Sequence, residues 1–300
     1  MDSIRILLDG VIDYAGLFPP ASLGMHVAVR NYANYLAGSQ GAFLGRFLLP
    51  VRRLSEFEDI AAEFLPRGNP VYPWHLSAIS SGNLIKDLEE IVDFNFFHAR
   101  DENAGAVVVD TLELKVETVE NIQRAMYLIP RTLTTYFEIP ISTDPADLLN
   151  TIADVRARAK VRTGGVVPKS FPALSDLARF MCRCAADRIH FKATAGLHHP
   201  MRGNYPLTYD PNAETGTMNG FLNVLLATAF ARFDLSEPEV RDLLAEQSPT
   251  AFSFDDGGVQ WRRHRLTPDQ LALARTQIVK AFGSCSFDEP IADLQAMSLL

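Results

Sequence analysis

The chain has 300 residues, of which 47% are hydrophobic and 21% charged, a composition typical of a globular protein with a sizeable core. A net charge of −8 excludes a general nucleic-acid binder and a polybasic membrane surface. No run approaches the roughly 20 apolar residues of a membrane-spanning helix. The N-terminus, MDSIRILLDG, lacks the features of a signal peptide, and the three cysteines form no CxxC pair, so we expect a cytoplasmic protein.

Short apolar strands alternate with helices along the chain. Strands are predicted at Val11–Ala15, Leu44–Leu49, Val71–Ile79, Ala106–Val109 (with an extension to Lys115), Thr132–Ile141, Lys160–Thr163 and Ile189–Thr194. Helices are predicted at residues 2–9, Met25–Leu36, Leu54–Phe64, Leu84–Phe94, Val119–Leu128, from Asp144-Pro145 onwards, Leu174–Ala186 and Met218–Phe230. Alternating strands and helices indicate a parallel sheet.

The sheet is predicted to close into a single (β/α)8 barrel over residues 1–300. The chain has no G-x-G-x-x-G after its first strand and no Walker sequence, which are common signatures of an open doubly wound sheet. Polar residues instead recur at the C-terminal ends of the strands, as in barrel enzymes. Residues 197–217 form a long loop after strand seven, which is typical of an active-site lid.

The eighth strand has two candidates. One is part of a β-hairpin from Ala251 to Trp261 around the turn Asp255–Gly258. The other is Ser284–Phe287, between a helix at Pro268–Phe282 and a last helix from Asp288. We favour the second, because a hairpin is more natural as an insertion outside the barrel.

Two lysines on consecutive strands are the main candidates for chemistry. Lys160 shares a strand face with Arg162, and Lys192 shares one with Thr194. If both lysines point inward, a second cation and a low-dielectric wall lower their pKa, and a neutral amine becomes available as a Schiff-base nucleophile or base. The alternative is that both lysines only form ion pairs.

Further candidates surround these lysines. Glu138 is predicted to pair with Lys160 and act as a general acid or base, or only to buttress the barrel. His198 is a second candidate acid or base, next to His199. Backbone N–H groups and side chains are predicted to hold an anion, and these residues are Thr163, Gly164, Gly165, Thr194, Gly196, Arg46, Arg162, His199 and Asn219.

At Lys160–Gly165 and Lys192–Gly196 the chain resembles class I, lysine-dependent (β/α)8 aldolases of the deoxyribose-phosphate type. The resemblance implies that one lysine forms a Schiff base. The resemblance covers two short stretches. The chain departs from the aldolase pattern in the order of the two strands, in Arg162 and in the pair His198-His199. Through DYAGLFPPA, KVRTGG, FKATAGLHHP and SCSFDEP, the whole chain is also similar to a bacterial protein family, which implies a bacterial cytosolic origin and no activity.

The sequence therefore predicts an enzyme that acts on a small anionic carbonyl compound by lysine-based lyase chemistry, without a cofactor. In this prediction Lys192 is the nucleophile or base, Lys160 tunes it, and Glu138 or a histidine moves protons. One alternative is a metal-assisted lyase or isomerase, with His198 or His199 and Glu113 or Glu138 as ligands of a divalent metal. A second is a non-catalytic barrel that binds an anionic metabolite. The expected partner is a small anionic metabolite rather than a nucleic acid or a membrane, and the sequence is compatible with a homo-oligomer.

Overall fold

The computed structural model describes residues 2–68, 72–100 and 105–300. In chain order its strands are β1 (Ile12–Tyr14), β2 (Leu44–Pro50), β3 (Trp74–Ile79), β4 (Val107–Lys115), β5 (Thr134–Glu138), β6 (Arg158–Arg162), β7 (Phe191–Thr194), β8 (Gly203–Pro206), β9 (Thr215–Met218), β10 (Phe252–Asp255), β11 (Gly258–Trp261), β12 (His264–Leu266) and β13 (Val279–Ser284).

Its helices surround these strands. They are α1 (Asp2–Leu8), α2 (Met25–Ala37), α3 (Leu54–Ala61), α4 (Leu84–Arg100), α5 (Val119–Leu128), α6 (Ala146–Asp154), α7 (Leu174–Asp187), α8 (Phe221–Phe233), α9 (Glu237–Ala245), α10 (Pro268–Gln277) and α11 (Asp288–Ala296). In the described part of the chain, no helix is long and apolar enough to cross a membrane.

The predicted (β/α)8 barrel is confirmed. Eight parallel strands close in the order β1-β13-β7-β6-β5-β4-β3-β2. Strands one to seven lie where the sequence predicts them, although β5 is shorter at both ends. The predicted start of strand three at Val71 lies outside the described residues. We call the C-terminal ends of the barrel strands the mouth and their N-terminal ends the floor.

The predicted position of the eighth strand is wrong. Helix α10 ends at Gln277, and the next residues form β13, which pairs with β1 and β7. Apolar residues from Val279 to Phe282 fit a helix or a strand equally well in the sequence. The unpaired edges of β1 and β7 decide the outcome, because their buried backbone groups need partners.

The hairpin near the C-terminus lies outside the barrel, as predicted. It forms a three-stranded antiparallel sheet, β10-β11-β12, that packs against α1, α8 and α10. Helix α8 is apolar on all sides because α7, α9, α10 and β13 surround it.

The loop after β7 contains a small hairpin of β8 and β9. Because β9 stays extended through Met218, the helix predicted from Met218 begins only at Phe221. Asn219 therefore lies just before α8 and not in its first turn.

Gly45 on β2 lies against the Asp13 carboxylate of β1. A Cβ atom at this position would lie 2.4 Å from Asp13 Oδ1 and 3.1 Å from the backbone oxygen of Gly10. We expect Gly45→Ala to lower the free energy of unfolding by about 1–3 kcal/mol, as other overpacked sites do. Urea denaturation measures this change.

Gly38→Ala is the matched control. Gly38 has an ordinary φ of −76°, and an added Cβ would come no closer than 3.4 Å to any neighbour. Equal stability of the two variants would contradict close packing of Gly45 against Asp13.

Candidate active site

A cavity of about 480 Å³ opens at the mouth of the barrel. Its polar wall is formed by side chains from the ends of β4, β5, β6 and β7 and from the loops that follow β3, β6, β7 and β13. The residues that contribute polar side chains are Ser80, Glu113, Lys115, Glu138, Lys160, Arg162, Ser170, Thr194, His198 and Cys285.

Lys192 lies inside the barrel beside this cavity and is only 1% exposed. Its ammonium group donates to a carboxylate oxygen of Asp13 on β1 and, over 2.6 Å, to Glu113 Oε1 on β4. Neither strand is adjacent to β7, so the side chain must cross the barrel interior. Burial lowers the pKa of Lys192, but the charges of Asp13 and Glu113 outweigh this effect and raise the pKa above its usual range.

Of the two candidate lysines, Lys160 lies on the cavity wall. It occupies the position opposite Lys192 on β6, as the sequence predicts. Its ammonium group forms ion pairs of 2.8 Å with Glu113 Oε2 and 2.9 Å with Glu138 Oε2. The predicted pairing with Glu138 is confirmed. Glu113 thus lies between the two lysines and contacts both.

Glu138 connects Lys160 to Arg162. Arg162 Nε donates to Glu138 Oε1 over 3.1 Å, and the Arg162 side chain is 53% exposed at the cavity. Burial raises the pKa of Glu138, but the charges of Lys160 and Arg162 outweigh burial and hold the pKa below its usual range. Glu138 is therefore a carboxylate at neutral pH.

The ion pairs form a continuous chain with equal numbers of cations and carboxylates. Its members in order are Asp13, Lys192, Glu113, Lys160, Glu138 and Arg162. We call it the charge chain. Burial raises the pKa of Glu113, but Lys160 and Lys192 hold it well below its usual range. The sequence-based prediction of a lowered lysine pKa is wrong for Lys192, because that prediction counts the neighbouring cation and omits the two carboxylates.

Two polar groups hold the carboxylates of the charge chain in place. Ser77 Oγ donates to Glu113 Oε1 over 2.6 Å, and the backbone N–H of Arg46 donates to Asp13 Oδ1 over 2.8 Å. Each carboxylate thus has a partner besides a lysine. These contacts fix the direction in which Glu113 and Asp13 face the lysines.

The turn after β7 is held by polar residues from neighbouring elements. Thr163 Oγ1 donates to the backbone oxygen of Ala195 over 2.7 Å, and Asn219 Nδ2 donates to the backbone oxygen of Thr163 over 3.0 Å. Ala195 has a φ of 66° and Gly196 one of 71°. For Ala195 this left-handed backbone is strained by about 1–2 kcal/mol, and such strain often occurs at functional sites.

Gly164 and Gly196 bring the loops after β6 and β7 into close contact at this turn. Its Cα lies 3.0 Å from where a Cβ on Gly196 would be, and Phe171 packs against both glycines. A side chain at either position would push Phe171 away.

A second polar cluster lies on the cavity wall around His198. Its Nδ1 atom is 3.8 Å from Cys285 Sγ and 3.4 Å from Glu289 Oε2. Tyr209 OH donates to Glu289 Oε2 over 2.9 Å. Burial lowers the pKa of His198, but the contacts with Cys285 and Glu289 outweigh burial and raise it to about 9. His198 is therefore protonated at neutral pH.

The structure brings about half of the predicted site residues to the cavity. Those on its wall are Lys160, Glu138, His198, Arg162, Gly165, Thr194 and Gly196. Those elsewhere are Lys192, Thr163, Gly164, Arg46, His199 and Asn219, and several of these position the residues on the wall.

Arg46 and His199 have partners away from the cavity. Arg46 forms a two-point ion pair with Asp110, with contacts of 2.7 Å and 2.9 Å. His199 Nδ1 lies 2.7 Å from Asp293 Oδ2, and its ring stacks on Tyr205 at 3.7 Å between centroids.

Sequence reasoning gives too little weight to two residues. It places Glu113 at the end of strand four as a counter-charge or a metal ligand, but it does not predict that Glu113 contacts both lysines. It misses Cys285 because it places the eighth strand over this residue. The correct strand, β13, ends one residue earlier, at Ser284.

The metal-assisted alternative names His198, His199, Glu113 and Glu138 as ligands. In the residues that the structure describes, no three His, Cys, Asp or Glu side chains are grouped as a metal site would require. The carboxylates of the charge chain are separated by lysine ammonium groups, and the two histidines have different carboxylate partners.

Comparisons of the chain with protein-family models, with curated proteins and with solved structures found no match in any of the three. The function is therefore inferred from the geometry of the site.

Removal of Lys192 should destabilise the fold. Lys192→Met leaves Asp13 and Glu113 buried without this cation, and loss of one partner of a buried ion pair costs about 3–5 kcal/mol. We expect a loss of this size in the free energy of unfolding, measured by urea denaturation. Lys115→Met is the control, since Lys115 also lines the cavity but is 74% exposed. Equal effects would contradict the buried charge chain.

The stabilisation by His198 should depend on pH. Its pKa is about 9 in the folded protein against 6.5 for an ordinary histidine, so its contribution is fully present below pH 6.5 and is lost as the pH rises through 9. The difference in free energy of unfolding between the wild type and His198→Asn should shrink by up to about 3 kcal/mol over this range. Urea denaturation at a series of pH values measures it.

His26→Asn is the control for this measurement, because His26 is an exposed histidine. Its difference from the wild type should change little with pH. A His198 difference that stays constant or grows with pH would contradict the contacts with Cys285 and Glu289.

Proposed function

We propose that the protein is a (β/α)8-barrel enzyme that acts on a small anionic carbonyl compound by aldolase-type lyase chemistry, with Lys160 as the nucleophile. One observation carries the proposal. Two lysines on adjacent strands share the carboxylate of Glu113, and Lys160 is the one on the cavity wall. A substrate in the cavity can reach Lys160, whereas Lys192 is enclosed.

The two lysines have different roles in this proposal. Lys192 stays protonated between Asp13 and Glu113, so it supplies a fixed positive charge behind the reacting amine. The neutral amine is the form of a lysine that attacks a carbonyl. Lys192 is a positioning residue because it does not touch the cavity.

Arg162 links substrate binding to proton transfer. Its exposed guanidinium is available to the negative group of a substrate, and such a contact competes with the Arg162–Glu138 ion pair. Once Arg162 turns to the substrate, Glu138 loses a cation and its pKa rises. Glu138 is then able to accept a proton from the Lys160 ammonium group.

The covalent steps need only side chains of this chain and water. The Lys160 amine adds to the carbonyl carbon, and the carbonyl oxygen leaves as water after it has received two protons, which gives an iminium. A base removes the proton of the β-hydroxyl group, the carbon–carbon bond breaks, and its electron pair forms an enamine while an aldehyde leaves. The enamine is protonated at carbon and water hydrolyses the iminium, which frees Lys160 and the second product.

His198 is the proposed acid for these steps. It is protonated at neutral pH and lies on the cavity wall with Cys285. Glu138 and His198 thus provide a base and an acid from different elements, the base at the end of β5 and the acid after β7.

Borohydride trapping tests the proposal. The protein is incubated with a panel of small aldehydes, ketones and 2-oxo acids, some of them phosphorylated. Borohydride is then added to reduce any Schiff base, and the modified peptide is identified by mass spectrometry. A Schiff base on Lys160 is trapped as a stable secondary amine. We expect the adduct on Lys160 with an anionic carbonyl compound, and little on Lys192 because it is enclosed.

Lys160→Arg is the matched variant. Arginine keeps the positive charge beside Glu113 and Glu138 but forms no Schiff base. It should abolish both the adduct and turnover while the protein stays folded, and Lys115→Met should change neither. Adducts that follow surface exposure, on Lys115 and Lys169 rather than Lys160, would contradict the proposed nucleophile. Tight binding of an anion without any adduct would favour a non-catalytic binding protein.

A further inference from the structure

The floor of the barrel carries three basic side chains and a histidine that the proposed reaction does not use. Arg158 begins β6, His190 lies just before β7, and Lys280 is the second residue of β13. Arg275, at the end of α10, packs below them. We call these four residues the floor cluster.

The strand register brings the floor cluster together. Ala159 and Val279 both pair with Phe191. Their neighbours in the sequence, Arg158 and Lys280, therefore lie on either side of the start of β7. The register shifts between Val279 and Ala281, which makes Lys280 the extra residue of a β-bulge. Bulges redirect side chains and often occur next to functional sites.

The contacts made by the floor cluster are with neutral groups. Arg158 Nη1 donates to Tyr136 OH over 3.1 Å. Lys280 Nζ donates to the backbone oxygens of Arg275 and Thr276, over 3.2 Å and 3.1 Å. The Arg275 guanidinium donates to backbone oxygens of Val279, Lys280 and Asp9. These oxygens satisfy hydrogen bonds but leave the positive charge largely unbalanced.

Nearby carboxylates have other partners. Asp110 pairs with Arg46 and with His75 at 2.8 Å, and Asp13 pairs with Lys192. Asp9 acts on Arg275 only at longer range. Within residues 2–68, 72–100 and 105–300, no carboxylate forms an ion pair with Arg158, Arg275 or Lys280.

The titration of the floor cluster reflects this excess of positive charge. Burial, together with the charges of Arg158, Arg275 and Arg46, lowers the pKa of Lys280 to about 8. Burial and the charges of Arg158 and Lys280 lower the pKa of His190 to about 4. Arg275 Nε is buried without a hydrogen-bond acceptor in the described structure.

We infer that the floor cluster binds a phosphate group, either as inorganic phosphate or as part of a small phosphate ester. Arg158, His190 and Lys280 are half-buried, so they remain open to solvent at the floor. Arg158, His190 and Lys280 come from the starts of neighbouring strands and carry N–H donors of different reach, and a tetrahedral dianion can accept from several donors at once. In a protein with a net charge of −8, such a local positive field concentrates anions.

This site is distinct from the proposed catalytic cavity. The cavity and Arg162 are at the C-terminal ends of the strands, whereas the floor cluster is at their N-terminal ends. Phosphate binding at the floor therefore does not depend on Schiff-base chemistry at the mouth.

Calorimetric titration with inorganic phosphate tests the inference, with chloride used to hold the ionic strength constant. The Arg162→Met variant is titrated first, so that a phosphate at the mouth does not contribute. We expect binding to persist in Arg162→Met and to weaken at least about tenfold when Lys280→Met or Arg158→Gln is added, since each change removes a charge-assisted hydrogen bond. The side-chain amide introduced by Arg158→Gln still has a donor for Tyr136, and circular dichroism checks the fold of both variants.

A titration with glycerol phosphate distinguishes the two sources of the phosphate. Binding of inorganic phosphate, of glycerol phosphate or of both supports the site and defines its ligand. Three results would overturn the inference: binding of neither ligand by the wild type, loss of binding in Arg162→Met, or an affinity that stays equal to that of Arg162→Met when Lys280→Met or Arg158→Gln is added and the protein remains folded.

Discussion

The interior of this barrel depends on the alternation of buried cations and carboxylates in the charge chain. Lys192 and Glu113 are each 1% exposed, so neither charge is hydrated by bulk water. Such burial is tolerated only because every charge has a partner of opposite sign and further hydrogen bonds. The chain of contacts crosses the barrel from β1 to β4 and then follows β5 and β6. It therefore ties the closure of the sheet to the geometry of the site.

The same alternation suggests how a substrate acts on the site. In the resting protein all charges of the charge chain are matched, and only its Arg162 end is largely exposed. In the proposed function, a negative group at Arg162 draws this guanidinium away from Glu138, which frees Glu138 to accept a proton. A neutral ligand has no such effect. Under the proposed function, the network favours anionic substrates before any bond is made.

The floor shows the opposite arrangement. Arg158 and Lys280 lie on either side of the start of β7. They have neutral partners and form no ion pair with a carboxylate in the described residues. Tyr136 lies between the two ends of the barrel: its hydroxyl accepts from Arg158, and its ring centroid is 5.3 Å from Lys192 Nζ. One side chain thus contacts both the floor cluster and the charge chain.

The sequence by itself determined the alternating fold and the pairing of Lys160 with Lys192 and Glu138, because strand period is a local pattern and consecutive parallel strands usually lie side by side. Tertiary structure decided the rest. The eighth strand formed from Val279 rather than Ser284 because β1 and β7 needed a partner. Asp13 and Glu113, from strands distant in the sequence, keep Lys192 protonated. Barrel closure also decided that Lys160, and not Lys192, faces the cavity, since this depends on side chains that meet only across the closed interior.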